Sequence, residues 1–143
     1  MPDNIPTTAD ATLDRAYEEA MEMLIDARDF AKEQREASSQ LESDQRLRLS
    51  QYTMQVTARL TQIMAWLMAN KAVATGELPP ETLADDTYAL PETGSIAGED
   101  AEWLEKEQAD RDIIPDRLSN LMDRSRALYQ RISRLDQQAR KAG

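Results

Sequence analysis

The 143-residue chain contains no cysteine and no histidine. Those absences exclude disulfides, thiolate zinc sites, Cys–His or Ser–His nucleophilic pairs and imidazole-ligated metals. Glycine occurs four times and phenylalanine once, too few for the recurrent turns and aromatic pairs of an all-β fold. Long apolar runs are missing too. The richest stretch, Leu60 to Ala69, includes Thr61 and Gln62 and is far shorter than the roughly 20 residues a bilayer requires. The opening residues MPDNIPTTAD are acidic and lack the apolar centre of a signal peptide, so a cytoplasmic protein without a membrane partner is expected. Bases number 17 against 27 acids, a net charge of −10, which argues against nucleic acid as a partner.

What is present is helical periodicity. Leu13, Tyr17, Ala20, Leu24, Ala27 and Ala31 form a seam of period 3.5 along a first helix at about residues 10–36. Ser38-Ser39 breaks it, and Ser39 with Glu42 has capping-box spacing for a second helix at about 41–75. Gly76 is placed for a left-handed C-terminal cap, and Pro79-Pro80 forbid continuation. A third helix, at about 115–140, carries Ile114, Leu118, Leu121, Ser125, Leu128, Ile132, Leu135 and Ala139 at steps of four and three. One domain over residues 1–143 is expected: an all-α, elongated three-helix up-down-up bundle. The second helix is apolar nearly all round between Ala58 and Ala69. Leu60, Ile63, Met64, Trp66, Leu67 and Met68 therefore read as core or as a subunit contact, with a homodimer completing the cover.

Charge is distributed unevenly. Residues 1–42 hold eleven acids and four bases, residues 43–76 one acid and four bases, and residues 113–143 three acids and seven bases. The three helices thus balance one another, and the connection at 77–112 carries the whole excess, twelve acids against Lys106 and Arg111. It is too long for a plain helix–helix turn and rich in proline and glycine, so a partly disordered acidic arm is expected. Two islands are candidates to order, Glu81–Ala84 as a helical turn and 99–108 as a short helix with Trp103 and Leu104. Leu90-Pro91-Glu92-Thr93-Gly94 spells a sortase recognition sequence. It is read as coincidence, because an export signal and an apolar C-terminal span are not seen.

No constellation points to catalysis, and no metal or cofactor is expected. The best raw material is the carboxylate row Glu19, Glu22, Asp26, Asp29, Glu33 and Glu36, which lies opposite the apolar seam and so faces outward. A di-metal bundle needs inward carboxylates joined by Glu-x-x-His pairs. Like charges at i,i+4 destabilise a helix by about 0.2–0.5 kcal/mol per pair, so beyond a solvated face the row reads as a docking surface for a basic partner. Arg117, Arg124 and Arg131 recur every seven residues beside the third seam. They suit ion pairing within or between subunits, or an anionic docking strip. Trp103, a large apolar side chain in the acidic arm, either docks back on the bundle or anchors a partner.

Two blocks resemble a known family. In ARLTQIMAWLMANKAVATGE (58–77), Arg59, Leu60, Gln62, Trp66, Leu67, Ala72, Gly76 and Glu77 match the second-helix signature of the bacterial RcdA-like family, the regulators of CtrA degradation. In IIPDRLSNLMDRSRALYQRISRLD (113–136), Pro115, Arg117, Leu118, Leu121, Arg124, Ser125, Leu128, Tyr129, Ile132, Leu135 and Asp136 match its third helix. The resemblance implies a dimeric three-helix bundle. It also implies a non-enzymatic adaptor that tethers protein clients or regulators to the ClpXP protease in cell-cycle control, alongside a response regulator of the CpdR type. Members of that family deliver clients through a flexible tail. Here only residues 137–143 follow Asp136, and the acidic arm is the candidate substitute. The alternative is a structural dimeric scaffold or sequestering module that involves no protease.

Overall fold

The computed structural model describes residues 8–37, 41–84, 90 and 101–142. Four α-helices are present among them, rather than three: α1 (Thr8–Glu36), α2 (Ser43–Ala74), α3 (Ala101–Ala109) and α4 (Asp116–Ala142), with a 3₁₀ turn at Pro80–Ala84. The additional α-helix is the short island around Trp103. The Ser38-Ser39 break lies outside the described residues, as does the arm at 85–89 and 91–100, including Pro91 to Gly94.

Local chemistry sets the ends of α2. At its start Gln45 Oε1 accepts a hydrogen bond from the Glu42 N–H at 3.2 Å, so the cap is Glu42. At its end Gly76 adopts φ 82°. The Glu77 N–H reaches the Ala72 carbonyl at 2.8 Å and the Gly76 N–H reaches Val73 at 3.1 Å, the paired bonds of a Schellman motif that needs a residue free of Cβ strain. Between α3 and α4, the Asp110 carbonyl accepts from the N–H groups of Ile113 and Ile114, turning the chain in a few residues.

The three long helices pack on one another, but not up-down-up. Lys71 near the end of α2 pairs with Asp14 near the start of α1, and Arg131 late in α4 pairs with Glu19 early in α1, so α1 runs antiparallel to both. Arg59 contacts Ser125 and Trp66 contacts Asp136, so α2 and α4 run parallel. The order is up-down-down. Parallel neighbours need a return crossing, and α2, at 32 residues, is about 48 Å long at 1.5 Å per residue. That requirement accounts for the length of the connection between α2 and α4.

The core is one cluster drawn from all three long helices. Along α1 it takes Ala16, Ala20, Met23, Ala27 and Phe30, with Leu13, Tyr17 and Leu24 half-buried. Ala20 and Ala27 of the predicted seam are buried, but Ala16, Met23 and Phe30 are buried in place of Tyr17, Leu24 and Ala31, because α1 is covered by two neighbours. In α2, Leu60, Ile63 and Leu67 are inaccessible and Met64 and Trp66 nearly so, whereas Met68 is 59% exposed. The dense midsection of α2 is therefore screened within a single chain, and no second subunit is needed to cover Trp66. The parallel α4 supplies the cover that an antiparallel three-helix arrangement appeared to lack.

Candidate functional site

Polar side chains join the elements at three levels. On the α1–α4 boundary, Arg117 donates through Nε to Asp26 at 2.9 Å and through Nη1 to Glu33 at 2.5 Å, and it lies 6.0 Å from the Phe30 ring centre. Hydrogen bonds to Asp26 and then Glu33 hold its pKa above the already high value of a free guanidinium. Arg131 reaches Glu19 at 2.8 Å. Arg124, midway between them, turns instead to Asn120 at 3.4 Å. The carboxylate row is therefore not one outward face. Glu19, Asp26 and Glu33, seven residues apart, meet Arg131 and Arg117 on an antiparallel helix. Glu22 and Glu36 remain exposed, and Asp29 is half-exposed beside Arg28.

A second group fastens α3 and the turn after it to the bundle. The Tyr52 hydroxyl donates to Asp110 Oδ2 at 2.5 Å, Arg48 Nε lies 3.4 Å from Asp110, and Arg126 holds Glu107 in a two-pronged ion pair. Trp103 packs edge-on to Tyr52, ring centres 5.5 Å apart, so it docks on its own bundle. Burial first, then the hydrogen bond to Asp110 and the charges of Asp110 and Glu107, raise the Tyr52 pKa well above its ordinary value, with Arg48 opposing. Because the folded state favours the neutral phenol, its contribution is complete below about pH 10, the ordinary tyrosine value, and falls as pH rises further. Tyr52→Phe is expected to destabilise by about 1–2 kcal/mol at neutral pH, since Asp110 keeps Arg48. The gap from the parent should narrow above the ordinary tyrosine pKa, as read by urea melts along an alkaline series.

The third level is buried. Arg59, 1% exposed, donates to Ser125 Oγ at 2.8 Å, and Ser125 donates on to the Met122 carbonyl. The Trp66 indole N–H donates to Asp136 at 2.9 Å, and Arg140 braces the same carboxylate. Sequence reasoning did not pair these residues. The parallel register of α2 and α4 creates the pairs, and periodicity does not report register.

What remains open is the outer face of α2. Leu47, Met54 and Met68 are exposed by 61%, 69% and 59%, and with Thr61 they fall at 47, 54, 61 and 68, one heptad apart. Ser50, Thr57 and Ala65 lie exposed between them. From residue 49 to residue 70 the only charged side chain is Arg59, and it points inward. Thr53, Thr57 and Thr61 hydroxyls bond to carbonyls four residues back at 2.8–3.1 Å, so the face offers methyl groups rather than donors. Beside it, Ala31 and Gln34 of α1 with Leu49 and Ala58 of α2 border a groove of ≈ 750 Å³. An uncharged 3.5-period stripe over six turns, on a chain with 31% charged residues, has the form of a helix-packing seam. Among the described residues no three carboxylates converge as a metal site would require, and no helix is long and apolar enough to cross a membrane.

The same chain matches, over residues 6–143, a family described as Protein of unknown function (DUF1465). It belongs to that family. Among solved structures it is similar to RcdA from Caulobacter crescentus CB15, with 29% identity, 88% of each chain covered and a TM-score of 0.63. No curated protein matches its sequence significantly. The similarity extends well beyond the two blocks at 58–77 and 113–136, and it supports the RcdA-like assignment of this DUF1465 member.

Proposed function

We propose that this protein is a dimeric, non-enzymatic adaptor in regulated proteolysis, which tethers protein clients or regulators to ClpXP during the cell cycle. The kinship with RcdA over most of the chain carries this reading. Tethering requires two surfaces and a gain in effective concentration, with no covalent chemistry. The neutral stripe of Leu47, Met54, Thr61 and Met68 is the self-association face, where apolar side chains and absent charges favour a second copy of the same helix. The carboxylates of α1 that α4 does not engage, Glu22, Asp29 and Glu36, are the second contact, suited to a basic segment of the protease, the client or a CpdR-type regulator.

Two measurements test it. The purified protein is added to ClpXP, ATP, a CpdR-type regulator and candidate transcription regulators, and client loss is followed by gel. Acceleration is the expected result. Binding of a client without acceleration would replace the adaptor by a scaffold. Separately, sedimentation velocity should give twice the mass of one chain for the parent protein. Met54→Asp with Met68→Asp should yield a folded monomer, because both positions are exposed within the chain.

A further inference from the structure

A different groove lies between the first half of α1 and the last turns of α4, and no residue of α2 lines it. Its volume is ≈ 420 Å³. The floor is apolar: Ala16, Leu128 and Ile132 are buried and Leu135 is half-buried. Arg15 and Arg134 stand at its edges with Arg131. Three carboxylates at this end of the bundle are already engaged, Glu19 by Arg131, Asp14 by Lys71 and Asp136 by Arg140 and Trp66. Arg15 and Arg134 have no carboxylate partner among the described residues, although acids outnumber bases 27 to 17 in the chain.

From this pairing of an apolar floor with two guanidinium groups that no described carboxylate pairs, we infer that the α1–α4 groove docks an acidic, leucine-rich peptide segment of a partner protein. The floor takes one or two apolar side chains, and each arginine offers a planar fork that fits a carboxylate with two hydrogen bonds. The net negative charge of the chain does not forbid this, because at physiological ionic strength exposed charges beyond about 8 Å are largely screened. A basic peptide would find the opposite, two like charges at the rim of its site. The seat is independent of self-association through α2, so it serves one copy or two.

The probe is a short fluorescein-labelled peptide alternating leucine with glutamate, followed by anisotropy against the full chain. Saturable binding that weakens with salt is expected. Arg15→Glu with Arg134→Glu should reduce affinity about tenfold or more, the loss of two charge-assisted hydrogen-bonded contacts. Lys32→Glu with Arg111→Glu changes net charge equally at exposed positions outside the groove and should leave affinity within about twofold of the parent. A peptide with lysine in place of glutamate should bind at least tenfold more weakly, by about the same argument. Absence of binding by the parent chain, or equal losses in the two double variants, would overturn the proposal. All four substituted side chains are solvent-exposed, and circular dichroism verifies that each variant is folded.

Discussion

Replacing Trp66 with alanine should lower stability by about 3–5 kcal/mol, the range for deleting a large aromatic side chain from a packed core. Trp66 is 5% exposed, and its indole N–H is the donor that α2 provides to Asp136, itself 7% exposed. The substitution opens a cavity between α2 and α4 and leaves that carboxylate with Arg140 alone. Trp66→Phe separates the two effects. It retains most of the volume and loses the donor, so it should be destabilising by about 1–3 kcal/mol, the penalty for leaving a buried acceptor short of a partner. Urea melts read by circular dichroism give the comparison, with the midpoint falling and the slope unchanged. In the Trp66 variants the remaining Trp103 also reports α3, because it packs on Tyr52. A full-size destabilisation by Trp66→Phe would mean that the hydrogen bond, rather than the volume, holds the two helices together.

Arg59 gives a prediction whose size depends on the replacement. The side chain is 1% exposed and lies between α2 and α4, donating to a fully buried Ser125. Arg59→Ala should destabilise by about 2–5 kcal/mol, because it removes a long side chain from a site that cannot fully collapse and leaves the Ser125 hydroxyl without its donor. Arg59→Met keeps most of the packing but also removes the donor to Ser125, so it should destabilise by about 1–3 kcal/mol, less than the alanine variant. Chemical denaturation of the two variants side by side is the test. If methionine proves as damaging as alanine, the charge is the stabilising feature and the packing argument fails.

The helices themselves were readable because their causes are local. The 4-and-3 spacing from Ile114 to Leu135, the cap at Gly76 and the proline pair after it act within one turn of chain. The short helix carrying Trp103 was legible as an island, but its attachment was not. Tyr52 and Asp110 are 58 residues apart, and Arg126 and Glu107 belong to different helices. The heptad of Leu47, Met54 and Met68 had a signal that composition alone hides. Residues 49–70 contain a single charge, so any solvent face on that helix must be neutral.

By itself, the sequence determined an all-α chain with three long helices and with acidic and basic helices matched in charge, since period, caps and segment charge are properties of neighbouring residues. The tertiary structure decided direction and partnership. It set α4 parallel to α2 rather than antiparallel, and so placed Trp66 beneath Asp136 rather than at a subunit boundary. It also turned alternate carboxylates of α1 onto the arginines of α4. A periodic stripe records that a face is buried and not what buries it, because burial free energy follows the area removed from water and is indifferent to the direction of the covering helix.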